Sequence, residues 1–428
     1  MSGQEQNVGS GRRARTEGFR ALGHADYRLY LGGMLFRGTA VWMQLVSLPW
    51  LAVELGAGPA ELGLVVGLQF LPTLVISPLG GVLADRMDRS RVLTITQIGS
   101  ALQGLGLFWL ASSGAATIPA LLAFAFSFGV LTAIELPVRQ AYLTELVPSD
   151  AVSSAVSLHS TAWNTTRFIG PGLAGIIIAT LGVAASFLVS AVMAALVAIS
   201  ILWLERHRFH PPRQAQSTSG VLSSLSDGAK FASGEPQIRW ALILVTAGGI
   251  FGIQSFQTLA PLYVSDALGL GGGAYGAFVA VWGGGAVAAS YVVTLMAHGD
   301  RRIWLVGGAA GLSLLLAFLA WVGSAPVAFA AVVLLGFAQI SLAQNAMVTV
   351  QIAAPDEMRG RVMGLYTTVF QGTGPFGAFI AGWLGSVIGV RWAMFAMALV
   401  LGVIAGMAAV ALRHARQAPT TPALSPDS

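Results

Sequence analysis

Apolar residues in this chain gather in long unbroken runs rather than in short alternating stretches. Twelve runs can be drawn, near 29–53, 61–84, 92–113, 117–136, 152–181 and 183–205, then 238–265, 273–297, 303–323, 325–352, 361–388 and 390–412. Most reach the roughly 20 residues needed to cross a hydrocarbon core of about 30 Å, and all exceed the roughly 9–11 of a barrel strand. Backbone polar groups in lipid have to be bonded within their own segment, so each run predicts a helix. The pattern is that of an all-α membrane protein with 12 transmembrane helices.

Polar residues divide the runs into two sets of six. The break at 206–237 carries His207, Pro211, Pro212, a serine-rich stretch at 217–226 and the lone lysine, Lys230, and it reads as a mobile linker. The expected layout is a polar tail over 1–28, a six-helix bundle over 29–205, the linker, a second bundle over 238–413 and a disordered tail over 414–428. The halves share more than their length. Gly170-Pro171-Gly172 in the fifth run recurs as Gly374-Pro375-Phe376-Gly377 in the eleventh, and Asp85-Arg86 after the second has an echo in Asp300-Arg301-Arg302 after the eighth. A duplicated unit, giving two pseudo-symmetric bundles, accounts for this.

Composition agrees with a membrane solvent, since 55% of residues are hydrophobic and only 10% charged. A net charge of +5 could suggest nucleic acid, but the placement of the charges argues against it. With the N-terminus inside, about 20 of the 23 Lys and Arg fall in the tails and inner loops, while Arg391 falls outside. Both termini and the linker are therefore expected on the cytoplasmic face of the cell membrane. The first run is of spanning length with no small-residue cleavage site behind it, and is expected to stay in the mature protein. Cysteine is absent, which excludes disulfides, thiolate metal sites and cysteine nucleophiles.

The loop after the second run holds Gly81, Leu83, Ala84, Asp85, Arg86, Asp88, Arg89 and Arg91 in order. This resembles the signature loop of the Major Facilitator Superfamily. Glu135-Leu136-Pro137-Val138-Arg139-Gln140-Ala141, then Glu145-Leu146-Val147-Pro148, then Arg167-Phe168-Ile169-Gly170-Pro171 resemble its branch of enterobactin exporters and macrolide efflux proteins. The resemblance covers about 30–413. It implies a monomeric exporter that works by alternating access, with proton antiport as the drive and a drug-like or siderophore-like amphipathic substrate. It also implies that runs 1, 4, 7 and 10 line a central cavity, and that Gly81, Asp85, Arg86, Arg89 and Arg91 form a gate. The residues themselves agree with a gate: Asp85, at the inner end of the second helix, can meet the N-terminus of the eleventh near Arg361 and gain about 0.3–1 kcal/mol from its dipole.

An ionisable residue inside a span costs about 2.5–3.5 kcal/mol on insertion scales, so it asks for a partner or a function. Arg37, Glu135 and Arg167 stand out. Arg37 and Gln44 share a face of the first helix, which is expected to line the cavity, and Glu135 ends a stripe that includes Phe128. Glu135 is either the proton carrier or half of an ion pair with Arg37, Arg139 or Arg167. In the second half Gln254, Gln257, Phe337 and Gln344 offer amides and aromatic area to a substrate. Arg167, Gly170 and Pro171 match the Gly-Pro element of the fifth helix in related antiporters. Two embedded arginines, Arg37 and Arg167, against one acid would favour an anionic or carbonyl-rich substrate over a cation.

Lys230 lies in no glycine-rich phosphate loop, and no His–acid–His cluster or nucleophile–base pair lies near the spans, so neither ATP hydrolysis, an enzyme activity, a metal nor a cofactor is expected. The expected partners are a small-molecule substrate, the proton and the lipid bilayer, with no nucleic acid. Import of a nutrient on the same fold, and a non-transporting receptor, stay open as rivals.

Overall fold

A computed structural model describes residues 19–417 except 87, 206–220 and 296–300, with side chains also left aside at 77–86, 221–225, 294–295 and 415–417. Each apolar run becomes a helix. The first half holds α1 (Ala25–Glu54), α2 (Pro59–Arg86), α3 (Arg89–Ser112), α4 (Ile118–Leu143), α5 (Val152–Leu181) and α6 (Val183–Glu205). After α7 (Val221–Gly234), the second half holds α8 (Pro236–Ala267), α9 (Gly272–Leu295), α10 (Arg301–Trp321), α11 (Ala325–Ala353), α12 (Asp356–Ile388) and α13 (Val390–Gln417). Among the described residues nine of these are long and apolar enough to cross a membrane. The other three, α1, α5 and α12, are as long but more polar, and α1 and α5 carry Arg37 and Arg167.

Caps and glycines set the helix ends. The Asp88 side chain accepts from the Ser90 and Arg91 amides to start α3, and Thr117 accepts from Ala120 to start α4. α5 and α6 are separated by Gly182 alone, at φ 84°, and α12 and α13 by Gly389 alone, at φ 83°. Glycine takes this left-handed conformation at no steric cost.

The repetition goes deeper than the turns. In the first half α5 lies so close to α1 that a Cβ on Gly38 would meet Thr166, and one on Gly170 would meet the Thr39 carbonyl and the Trp42 Cβ. In the second half a Cβ on Gly249 would meet Thr373, and one on Gly377 would meet the Ile250 carbonyl and the Gln254 Cβ. The crossings match position for position except for one extra residue in α8, which is where α8 takes a π turn over Gly248–Ile253. Gly170 and Gly377 thus sit at equivalent helix crossings, whereas Gly374-Pro375 stands three residues before the position of Gly170-Pro171 in this register, so the sequence match between the two Gly-Pro elements is offset by about one turn.

The halves meet along α2 against α12 and α5 against α9. The termini, α7 and the start of α12 lie at one end of the bundle, and the α1–α2 and α5–α6 turns at the other. Toward that second end the seams are very tight: a Cβ on Gly63 would stand 2.8 Å from the Gly382 Cα, and one on Gly276 would stand 2.3 Å from the Gly175 Cα. Trp50 stacks on Tyr275 across the same seam, at 5.6 Å between ring centroids. Going inward, the close approaches at described glycines reach Gly374 on Phe70, Gly372 on Leu74 and Gly283 on the Arg167 carbonyl. The bundle is therefore closed at the end away from its termini.

The linker differs from the expected mobile segment. Its second part forms α7, which packs on α12: a Cβ on Gly228 would stand 2.9 Å from the Arg361 carbonyl, Ala232 is buried, and Asp227 pairs with Arg361 at 3.0 Å. Serine-rich composition masked apolar residues that return once per helical turn. Residues 206–220 lie outside the described residues. The C-terminal tail is expected from 414, but α13 continues to Gln417; 418–428 lie outside the described residues.

Candidate functional site

Midway through the bundle, at Phe70 and Gly374, is a cavity of about 1040 Å³. Both halves build it. Val41, Trp42 and Leu45 come from α1, Gln69, Phe70 and Thr73 from α2, Phe128, Thr132, Leu136 and Arg139 from α4, and Trp163 and Arg167 from α5. The second half adds Gly249, Ile253, Gln254 and Gln257 from α8, Gln339 from α11, and Phe370, Gln371, Thr373 and Gly374 from α12. Most of the wall is apolar or aromatic. Its polar groups are few, and several lack protein partners: the Trp42 and Arg167 Nε atoms, both ends of the Gln69 amide, the Thr132 hydroxyl, the Arg139 Nε, and the Gln254 and Gln339 amide oxygens. A buried donor or acceptor without a partner costs about 1–3 kcal/mol, and because these atoms are covered by protein in this state, a bound molecule would meet them only after the wall shifts. Trp42, Leu45, Gln69, Phe70 and Gln257 also line a second recess of about 430 Å³, which runs on to Phe256, Tyr275 and Trp282.

Beside the cavity the first half buries a cluster of charges. The Arg37 Nε donates to both Glu135 oxygens at 3.0 and 2.8 Å, and the Arg139 Nη1 donates to one of them at 3.0 Å from the next turn of α4. Gln97 lies in the same pocket as this carboxylate. All three charged side chains are at most 8% exposed, so each charge depends on the others. Arg37, Gln97, Glu135 and Arg139 line a separate pocket between α1, α3, α4 and α6. Arg139 alone among them also reaches the central cavity, where its guanidinium lies 4.5 Å from the Trp163 ring. One turn on, Arg167 faces Trp42 at 5.0 Å and Trp282 at 5.6 Å.

Of the expected cavity residues, Phe128, Gln254 and Gln257 line it, and so does Arg167 from the Gly-Pro element. Arg37 and Glu135 do not; they face each other inside the first half. Gln44 is buried outside the cavity lining. Phe337 packs on Ala286, Ala289 and Ile340, and Gln344 donates to the Ser290 hydroxyl at 3.0 Å, so both face α9. The α11 residue on the cavity is Gln339, which points about 200° away from Phe337 at about 100° per residue. Trp42, Gln69, Trp163 and Gln371 had not been singled out; their signal was a polar or indole group in mid-run. Gly170 and Pro171 sit where α5 crosses α1 and α9, since the Pro171 carbonyl is also 2.8 Å from a Cβ built on Gly276.

The loop after α2 is described only in part. The side chains of Gly81, Asp85 and Arg86 lie outside the described residues. Arg89 pairs with Glu145 and donates to the Ala141 carbonyl at 3.1 Å, which ties the start of α3 to the end of α4 within one half. Arg91 is largely exposed and stands 3.4 Å from Asp88. Partial burial pushes the Asp88 carboxyl up, but the Ser90 hydroxyl, the Arg91 and Ser90 amides and the Arg91 charge outweigh it and hold the group below its usual range.

The Major Facilitator Superfamily profile matches residues 30–378. The chain belongs to that superfamily. It is a multi-pass membrane transporter and not an enzyme. Among its relatives, the multidrug efflux pump Tap of Mycolicibacterium fortuitum is 25% identical over 393 residues, covering 88% of this chain and 94% of that protein. The staphyloferrin A transporter of Staphylococcus aureus is 31% identical over 230 residues, covering 54% of this chain and 56% of that protein. A solved structure of a bacterial homolog to the human lysosomal transporter Spinster, inward-facing and unoccupied, matches with a TM-score of 0.72 at 13% identity, over 93% of this chain and 98% of that chain. The D-xylose–proton symporter structure matches with a TM-score of 0.65 at 16% identity, over 88% and 95%. At such identities the structural likeness concerns the fold alone.

Proposed function

We propose that this transporter exports an amphipathic, drug-like or siderophore-like small molecule by alternating access in exchange for protons, as a monomer with both termini in the cytoplasm. The observation that carries the reading is the central cavity: about 1040 Å³, apolar and aromatic over most of its wall, with a few unmatched amides and guanidinium groups. That lining suits an amphipath better than a sugar. Relatives named as an efflux pump and a siderophore transporter support the direction and the substrate type. With the termini inside, the end that is closed in this structure would be the outer one. Asp85 is the proposed gating carboxylate at the inner end of α2. The test uses everted membrane vesicles energised by respiration and a panel of acidic, neutral and basic fluorescent amphipaths. Accumulation that an uncoupler abolishes is the expected result; accumulation only in right-side-out vesicles would replace export with import.

Glu135 is the proposed proton carrier, and its contacts favour a second reading for an acidic cargo. Protonating Glu135 would release Arg139 toward the cavity and strengthen its hold on an anion. Proton and acidic cargo would then bind together and travel the same way, whereas a basic cargo would compete with the proton and exchange for it. The same vesicle experiment separates the two by the direction of uptake.

A further inference from the structure

We infer that the central cavity selects organic anions: an acidic head held between Arg167 and Arg139, with a flat apolar body turned toward the aromatic recess at Trp42. The inference takes the cavity as the substrate site and holds for either direction of transport.

Charge is the first ground. Arg139 and Arg167 both line the cavity, and among the described residues no Asp or Glu does so. Glu135 lies in the neighbouring pocket and already has Arg37 across both its oxygens. Arg139 shares one of those oxygens through Nη1 and keeps its Nε without a partner. The wall thus carries a surplus of positive charge in surroundings that screen it poorly.

The second ground is how the two guanidinium groups are held. Among the described residues Arg167 has rings for neighbours and no carboxylate: Trp42 and Trp282 lie 5.0 and 5.6 Å from its guanidinium carbon, and its buried Nε makes no hydrogen bond. Arg139 lies on Trp163, one helical turn before Arg167 on α5. Aromatic neighbours do not consume a guanidinium's in-plane donors, of which the Arg139 Nη1 is already given to Glu135. A carboxylate or sulfonate is the group whose acceptors fit those donors. A cation there would face two like charges with no acid among the described lining residues.

The third ground is shape. Trp42, Leu45 and Phe70 belong to both the charged cavity and the apolar recess, so the two spaces adjoin at these side chains, and a molecule with its acid at the arginines would turn its apolar body toward them. An aryl acid has that form.

The test measures binding, without flux, to the full-length protein in lipid nanodiscs by calorimetry. The probes are 1-naphthylacetate, 1-naphthylmethylammonium and the neutral 1-naphthylethanol. Wild type should bind the anion at least about tenfold more tightly than the cation, and the preference should shrink as salt is raised. Arg167→Gln should weaken the anion about tenfold and leave the neutral probe within about threefold, and Arg167→Lys should recover part of the loss. Cation binding as tight as anion binding, undetectable anion binding, or equal effects of Arg167→Gln on anion and neutral probe would each overturn the inference. The wild-type comparison decides the matter even if Arg167→Gln does not fold. Anion binding without export would sink the export reading alone, and export of cations without anion binding would sink this one alone.

Discussion

Gly276→Ala should favour the state in which the sealed end opens. The added methyl would stand 2.3 Å from the Gly175 Cα, 2.5 Å from its nitrogen and 2.8 Å from the Pro171 carbonyl. All three are backbone atoms, so no side chain can swing aside. Ordinary carbon contacts begin near about 3.5 Å, and α5 and α9 would have to part by about 1.2 Å. Forcing a methyl into such a contact costs about 1–3 kcal/mol, and here the cost falls only on the state in which the two helices touch. Alanine also favours a helix over glycine by about 0.5–1 kcal/mol, but that gain is common to both states and cancels in their ratio. The population ratio should therefore move by a factor of about 5–150. Spin labels on Ser113→Cys and Ser324→Cys, exposed beyond α3 and α10 at the sealed end of different halves, would report it without any native cysteine to remove. The longer distances should gain weight in the Gly276→Ala background. Gly307→Ala, whose methyl meets nothing within 4 Å, should leave the distribution unchanged. A folded Gly276→Ala protein with the parent distribution would refute the idea that this contact holds the end closed.

Other expectations follow from single contacts. Glu135→Gln leaves Arg37 and Arg139 without their counter-charge and should destabilise the fold by up to about 3–5 kcal/mol, read as a lower Tm, and end uncoupler-sensitive transport; an unchanged Tm would mean that the cluster does not hold α1 to α4. Asp88 contributes its cap in full above the carboxyl's unfolded value and loses it as pH falls through the lower folded value, so Asp88→Asn, which still caps, should flatten the acid side of a Tm profile taken from about pH 3 to 7. Asp227→Ala removes a half-exposed ion pair and should change stability by less than about 1 kcal/mol, whereas Gly228→Val should lift α7 off α12 and speed tryptic cleavage at Lys230; equal effects would mean that charge, not backbone contact, docks α7. A membrane-impermeant maleimide should label Ser113→Cys but not Ser226→Cys in intact cells, and the reverse pattern would invert the topology.

Helix positions were legible in the sequence because the length of an apolar run is set by the bilayer. Helix rotation was not. Gln344 and Phe337 looked like a cavity face, yet α11 turns them to α9 and presents Gln339, because amides serve helix packing as readily as ligand binding. Arg37 and Gln44 do share a side of α1, but it is Val41, Trp42 and Leu45 that reach the cavity. The Glu135 ion pair was one of two open readings, and only the fold shows that Arg37 and Arg139 both reach it. Which end is closed could not be read from hydropathy, since the same pattern serves every state of the cycle; it rests on glycines at 63, 175, 276 and 382 whose partners lie in the opposite half.

The π turn in α8 also bears on descent. Because Gly249, Ile250 and Gln254 repeat Gly38, Thr39 and Trp42 with one residue more, the two halves align only with a gap inside Gly248–Ile253. The length difference between the copies was absorbed within one turn, and the crossing with α12 kept its register. An ancestral six-helix unit reconstructed from this chain should be aligned outward from that gap, with Gly182 and Gly389 as its second anchor.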